Sequence, residues 1–406
     1  LPSYLGCGAY DPEKPPGFRR IIGQMSAVPT TSPAADRDLR LDFFRGMALI
    51  FIFIDHIPGN KLAYATVGSW NFCDAAEIFV FISGYTAALV FGGMSQRLGP
   101  VLTALRIFAR CWVLYVAHVF IFVAFMAQVS LSAERLANPM FLEETGVDEY
   151  LKTPHLAVAH ALTLTFQPAF MDILPLYIVL MLGLIAVLPL IARFPWAIIG
   201  LSFALWVLTL RYHLNFPTYP NGAWFFSPAG WQFLFVIGAC LGFPRDKPWL
   251  PWLHRRWLVW LCAAILVLCA SAKLFLWMQY TYGLDFPRVS RVVYWGPGGS
   301  KTALGVYRLV NFLALAYLAA YLIKPGAVWL ASAATRPVIR IGQNSLYIFC
   351  MGIFLSYLGH LVLVEISSRI VVHLGVSAAG IAMMAAVAAA MTWVRQAERT
   401  RRAARR

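Results

Sequence analysis

The sequence predicts an all-α polytopic bundle that crosses a membrane about ten times, with both termini in the cytoplasm. Three observations lead there. The chain is 60% hydrophobic and 13% charged, with a mean hydropathy of +0.68, whereas a soluble domain carries roughly 25% charged residues. Ile173 to Ala192 and Trp257 to Ala272 hold no charge at all. Such runs reach the length that crosses a hydrocarbon core of about 30 Å. In lipid each backbone polar group needs an internal partner, so the runs are helices; they lack the alternation of barrel strands. Finally, the net charge of +15 is distributed as a topology signal. Nucleic acid is not needed to explain it and is not expected as a partner.

Taken from the start, residues 1–37 are rich in Pro, Gly and Ser with no hydrophobic period, which predicts disorder. They contain no apolar h-region, so no signal peptide is expected. Leu1 is an unusual start, and Met25 is read as the native initiator. A membrane domain follows over 38–394, with spans expected near 39–57, 73–93, 104–130, 172–192, 196–213, 228–243, 256–278, 304–323, 341–364 and 370–394. The stretch His155 to Phe166 is too short to cross and is read as re-entrant or interfacial. Residues 395–406 form a basic cytoplasmic tail.

With the N-terminus inside, inside loops hold Arg97, Arg106, Arg110, Arg193, Arg245, Lys247, Arg255, Arg256, Lys324, Arg336 and Arg340. Outside loops hold Glu134, Glu143, Glu144, Asp148 and Glu149. The loop with Arg288, Arg291 and Lys301 opposes the rule, as a basic outer surface that meets an anionic group would. Six cysteines (Cys73, Cys111, Cys240, Cys262, Cys269, Cys350) fall singly in or beside spans, without metal spacing. They read as packing residues, with no metal or disulfide expected.

A charge inside a span is a functional hypothesis by default. The first span carries Arg40, Asp42 and Arg45, then Asp55 and His56 after an apolar run. Arg45 and His56 are eleven residues apart, so at about 100° per residue they fall within about 20° around the helix and roughly 16 Å apart along it. Snorkelling would explain Arg45 alone, and an interfacial cap His56 alone; together on one face they favour a function. Asp74 and Glu77 open the second span at i and i+3, at the expected depth of Asp55 and His56. A carboxylate beside an imidazole fixes its tautomer, as a general base needs. Two carboxylates at a water interface are the plainer reading. Gly84 permits close helix approach, and Ser83 is a packing residue or a donor. Arg106 and Arg110 at i,i+4 would, with Arg45, hold phosphates; ordinary inside charge explains them equally. Outer aromatics (Tyr212, Phe216, Tyr219, Trp224, Phe225, Phe226, Trp231) suit sugar rings or an interfacial belt.

Arg40-Leu-Asp-Phe-Phe-Arg-Gly46, Asp55-His-Ile-Pro-Gly-Asn60 and Asp74-Ala-Ala-Glu-Ile-Phe-Val-Phe-Ile-Ser-Gly84 closely resemble the OpgC family, whose members are implicated in succinylating osmoregulated periplasmic glucans. More broadly, Arg45 with His56, and Phe81-Ile-Ser-Gly84, look like the acyltransferase family three membrane O-acyltransferases. The near-continuous likeness covers 37–92, with weaker echoes at Arg106 to Tyr115 and Gly342-Gln-Asn-Ser-Leu-Tyr-Ile-Phe349.

The resemblance implies a bacterial inner-membrane transferase with a cytosolic acyl-CoA as co-substrate, succinyl-CoA among the candidates, and an extracytoplasmic glycan acceptor. It puts the catalytic imidazole on His56 and a donor contact on Arg45. The expected site is then His56 as base with Glu77, Asp74 and Asp55 around it. Arg45, Arg106, Arg110 and Arg40 take the donor, and Ser83, Asn344 and Ser345 give polar support to an oxyanion. No bound cofactor is expected. Two other classes compete: a proton-coupled secondary transporter, which buried Asp, Glu and His would also suit, and a non-catalytic assembly protein for envelope polysaccharide. No repeat of the kind that marks many transporters is visible.

Overall fold

A computed structural model describes residues 38–245, 254–283 and 299–404. The expectations for residues 1–37, Met25 included, and for Lys247, Arg288 and Arg291 lie outside the described residues. Among the described residues all regular elements are helical, with one isolated bridge between Pro217 and Ala223. The main helices are α1 (Leu39–Asp55), α2 (Ala75–Leu98), α3 (Pro100–Leu136), α4 (Met140–Thr145), α5 (Val147–Lys152), α6 (Pro154–Leu162), α7 (Ile173–Arg193), α8 (Pro195–Tyr212), α9 (Pro228–Gly242), α10 (Arg256–Tyr282), α11 (Val306–Leu322), α12 (Arg336–Gln343), α13 (Ser345–Glu365) and α14 (Ile370–Ala404).

Seven of these (α2, α3, α7, α8, α10, α13 and α14) are long and apolar enough to cross a membrane. The chain is a multi-pass membrane protein. Helices α9 and α11 are apolar but shorter, at 15 and 17 residues, and α1 has 17 residues with several charges. The outward side chains are what lipid requires. Trp260 is 75% exposed and Leu268 71%, and the most apolar stretch of α10 is only 6% buried by protein. In water such a surface would aggregate.

Local chemistry sets the helix ends. Asp38 caps α1 by accepting from the Arg40 amide (3.0 Å). Asp74 and Glu77 form a capping box at the start of α2: Asp74 accepts from the Ala76 amide (2.8 Å) and Glu77 from the Asp74 amide (2.8 Å). Ser227 caps α9, with Pro228 in its first turn. Asn344 separates α12 from α13 because its side-chain amide reaches back to the Arg340 carbonyl (2.8 Å). The span expected over 341–364 therefore starts at Ser345. The expected tail at 395 is not a helix boundary, since α14 continues to Ala404.

Two seams bring backbones together. On α2, Gly84 faces the Phe235 carbonyl of α9, while Gly238 and Gly242 of α9 face the Phe81 and Tyr85 backbone of α2. Gly46 of α1 faces Val338 of α12, and Gly342 faces the Asp42 backbone. A methyl group at any of these positions would overlap backbone atoms, so glycine sets the spacing. These seams fix α1 and α2, which carry the charged motifs. At one end of both helices lies a layer of connections: 56–74, 163–172, 213–227 and 299–305.

Candidate active site

The layer of connections encloses a cavity of about 600 Å³. Its walls include Asp55, His56, Asp74, Asp172, Lys301 and the rings of Phe170, Phe225, Phe226 and Phe349. Asp55, His56 and Asp74 come from the ends of α1 and α2, and Asp172 and Lys301 from loops distant in sequence. The described cysteines are all free, and no group of three or more His, Cys, Asp or Glu is arranged to hold a metal among the described residues.

His56 is the first residue beyond α1. Its Nδ1 lies 2.7 Å from the Ile52 carbonyl. A carbonyl oxygen only accepts, so Nδ1 carries the proton and Nε2 keeps its lone pair. No group among the described residues bonds Nε2. The orienting partner is thus a backbone carbonyl one helical turn back, where the sequence suggested a carboxylate.

Of the three expected carboxylates, Asp55 lies in the cavity wall with His56, while Glu77 and Asp74 are engaged elsewhere. Glu77 is fully buried and accepts from Arg308 Nε of α11 (2.6 Å). Arg308 Nη2 also donates to Asp74 Oδ2 (2.9 Å), and Lys301 Nζ reaches the same oxygen at 2.8 Å. Two cations and two carboxylates form one cluster, of which Asp74 and Lys301 line the cavity while Glu77 and Arg308 lie behind them. Lys301 lies over the faces of Phe225 and Phe226, 5.6 and 5.7 Å from the centroids.

Three of the groups sit beyond helix ends, outside the crossing segments. His56, withdrawn from bulk water, is lowered to about 4 against the opposing effect of the Ile52 carbonyl. Burial raises Asp172, the residue before α7, to about 6. Burial pushes Asp74 upward too, but Lys301 and Arg308 outweigh it and hold this carboxyl well below the usual range. At neutral pH the cavity therefore presents an uncharged imidazole with a free lone pair.

The other expected site residues lie elsewhere. Arg45 faces α2, where Nη2 donates to Thr86 Oγ1 (2.7 Å); it points into the bundle but is not part of the cavity wall. Arg106 and Arg110 are half-buried on α3. Arg40 is occupied by Asp38 (Nη2 to Oδ2, 2.6 Å) and by the Ile323 carbonyl (2.8 Å), so its fork serves the start of α1. Ser83 is buried between helices. Asn344 donates to Arg340, Ala388 and Thr392 and accepts from Arg395, joining α12, α13 and α14. Ser345 opens α13. None of these three lines the cavity, whose polar walls instead offer Thr66, Ser69, Gln167 and Thr218.

Of the outer aromatics, Phe225 and Phe226 line the cavity. Trp224 and Trp231 are buried, Tyr219 stacks on His160 with centroids 4.4 Å apart, and Tyr212 and Phe216 are exposed. Sequence reasoning passed over Arg308, although a charge inside an apolar run is the signal that flagged Arg45. It saw Lys301 only as an exception to the charge rule.

The sequence matches the OpgC protein family over residues 37–396. No curated protein and no solved structure matches it. The matched segment spans every helix that shapes the cavity, with Arg45, His56 and the Asp74–Glu77 capping box inside it, and the chain belongs to the OpgC family.

Proposed function

We propose that the chain is a ten-span membrane O-acyltransferase of the bacterial inner membrane, with both termini cytoplasmic. It moves an acyl group from a cytosolic acyl-CoA to a hydroxyl of an extracytoplasmic glycan, and His56 is the general base. Seven long helices together with α1, α9 and α11 support the count of ten. Family membership supports the transferase class.

One observation carries the reading. An imidazole is pinned at Nδ1 by the Ile52 carbonyl and presents a free Nε2 to a cavity of about 600 Å³. A general base needs a fixed tautomer, a lone pair and room for the group it deprotonates. In the proposed step, the acceptor hydroxyl gives its proton to Nε2 as its oxygen bonds to the thioester carbonyl carbon. The tetrahedral intermediate expels the coenzyme A sulfur, breaking the C–S bond, and the imidazolium returns the proton to that thiolate. Thr66, Ser69 or Gln167 supplies donors near the oxyanion. Arg45, with Arg106 and Arg110, takes the donor phosphates. A succinyl group would bring a free carboxylate, which Lys301 meets inside the cavity.

The test joins chemistry and genetics. Purified His56→Ala should lose roughly 10²-fold or more in turnover, and Arg45→Ala should chiefly raise the donor KM. Mass spectrometry of envelope glycans from cells lacking the gene should show a missing acyl substituent. Near-normal turnover of His56→Ala would refute the base. Proton-driven uptake into proteoliposomes would favour a transporter.

A further inference from the structure

His56 is held on a second side, by Phe170. The ring centroids are 5.0 Å apart and the planes meet at 59°. Phe170 belongs to a strap, residues 163–172, that links α6 to α7 and forms one wall of the cavity. The strap has two non-glycine residues in the left-handed region, Leu164 with φ 64° and Phe170 with φ 73°. A bulky L residue adopts that conformation only where its surroundings impose it.

The surroundings do so at several points. The Ala169 amide donates to the Thr145 carbonyl at the end of α4 (3.0 Å), and the Met171 amide donates to the Pro168 carbonyl (3.1 Å). The Thr165 carbonyl accepts from the Tyr219 amide (2.8 Å) and the Thr218 hydroxyl (2.8 Å). The Phe170 ring meets the fully buried Phe125 edge-on, with centroids 6.3 Å apart, and Phe125 packs on Tyr357 at 5.7 Å. Glu144 of α4 also lies 2.8 Å from His360 Nε2 of α13.

We propose that Phe170 is a positioning residue for His56: the tethered strap presses its ring against the imidazole and keeps Nε2 aimed at the cavity. This rests on the reading of His56 as base. The Ile52 carbonyl holds the imidazole through a single hydrogen bond at Nδ1, which leaves a coupled rotation about the Cα–Cβ and Cβ–Cγ bonds, pivoting on that hydrogen bond, as the soft motion. A ring at 59° to the imidazole plane blocks that rotation from one side. Conformational strain of this kind is concentrated where geometry serves chemistry.

The test uses the full-length purified chain and three variants. Phe170→Gly removes the ring but adopts positive φ freely, so the strap keeps its path. Phe170→Leu keeps bulk without a flat face, and Phe170→Tyr keeps the face. Carbethoxylation of His56 by diethyl pyrocarbonate is followed by peptide mass spectrometry. Transfer is followed with succinyl-coenzyme A and a β-glucan oligosaccharide as probes. In Phe170→Gly and Phe170→Leu, kcat should fall about ten- to a hundredfold with the acceptor KM little changed. His56 should be modified several-fold faster, and Phe170→Tyr should restore both. An unchanged modification rate, or an effect confined to acceptor KM as for a sugar-stacking ring, would overturn the proposal. The two readings fail separately, because full turnover of His56→Ala sinks the base while the modification rate still reports whether Phe170 holds the imidazole.

Discussion

Replacing Arg308 by Met should be among the most damaging single changes in this protein, and the structure sets its size. The guanidinium is 11% exposed and contacts Glu77 at 2.6 Å and Asp74 at 2.9 Å, while Glu77 has no exposure at all. Asp74 retains Lys301 at 2.8 Å and the Ala76 amide. Glu77 retains only the Asp74 amide. Leaving one member of a buried ion pair uncompensated costs roughly 3–5 kcal/mol, which corresponds to about 10² to 10⁴ in the folding equilibrium. Equilibrium unfolding of the purified protein in mixed micelles would measure it. The Glu77→Gln background separates charge from packing: there the same Met substitution should be milder by at least about 1 kcal/mol. A loss below about 1 kcal/mol for Arg308→Met, or an equal loss in both backgrounds, would refute the claim that Arg308 neutralises Glu77.

Three further outcomes follow from the site and the seams. Because His56 is lowered to about 4 from an ordinary value near 6.5, its neutral form persists as pH falls. Carbethoxylation of His56, corrected for reagent hydrolysis, should therefore hold from pH 7 to pH 5, where an ordinary imidazole would be about 97% protonated; a midpoint near 6.5 would contradict the burial argument. Lys301→Met should spare the fold more than Arg308→Met does, since Arg308 still donates to both Asp74 and Glu77, but should narrow the rate advantage of succinyl-CoA over the uncharged butyryl-CoA, whose acyl chain has the same number of carbons. An unaltered donor preference would remove Lys301 from acyl recognition. Gly238→Val would drive a branched side chain into the Phe81 carbonyl and should destabilise by about 1–3 kcal/mol or more, read as a lowered detergent melting midpoint. Gly183→Ala, in open space on α7, is the control.

The long helices were legible because a charge-free run of this length has only one stable state in lipid. The ends were less so. Hydropathy reports where the membrane stops, not where the hydrogen-bonded spiral stops: α3 extends from Pro100 to Leu136 and α14 to Ala404, through Arg, Gln, Glu and Ala, which are good helix formers. The break at Asn344 depends on a side chain reaching back four residues, which periodicity does not see. In the site, His56, Asp55 and Asp74 were readable as polar groups at the matched ends of adjacent spans. Their partners were not. Similar depth suggested Glu77 beside His56, but depth says nothing about azimuth, and tertiary packing turns Glu77 to an arginine 231 positions along the chain. The twisted backbone of Phe170 follows from its tethers to α4 and the 213–227 connection, so no local pattern announces it.

The glycine seams bear on how any reaction spanning this bilayer can proceed. Where carbonyls and Cα atoms touch directly, as between Gly84 and Phe235 or Gly342 and Asp42, there are no intervening side chains whose rotamers could yield a little. Each pair behaves as a welded plank. A substrate moving between the two faces would then pass between planks, not through them, and among the seven long helices the one least covered by the rest of the protein is α10.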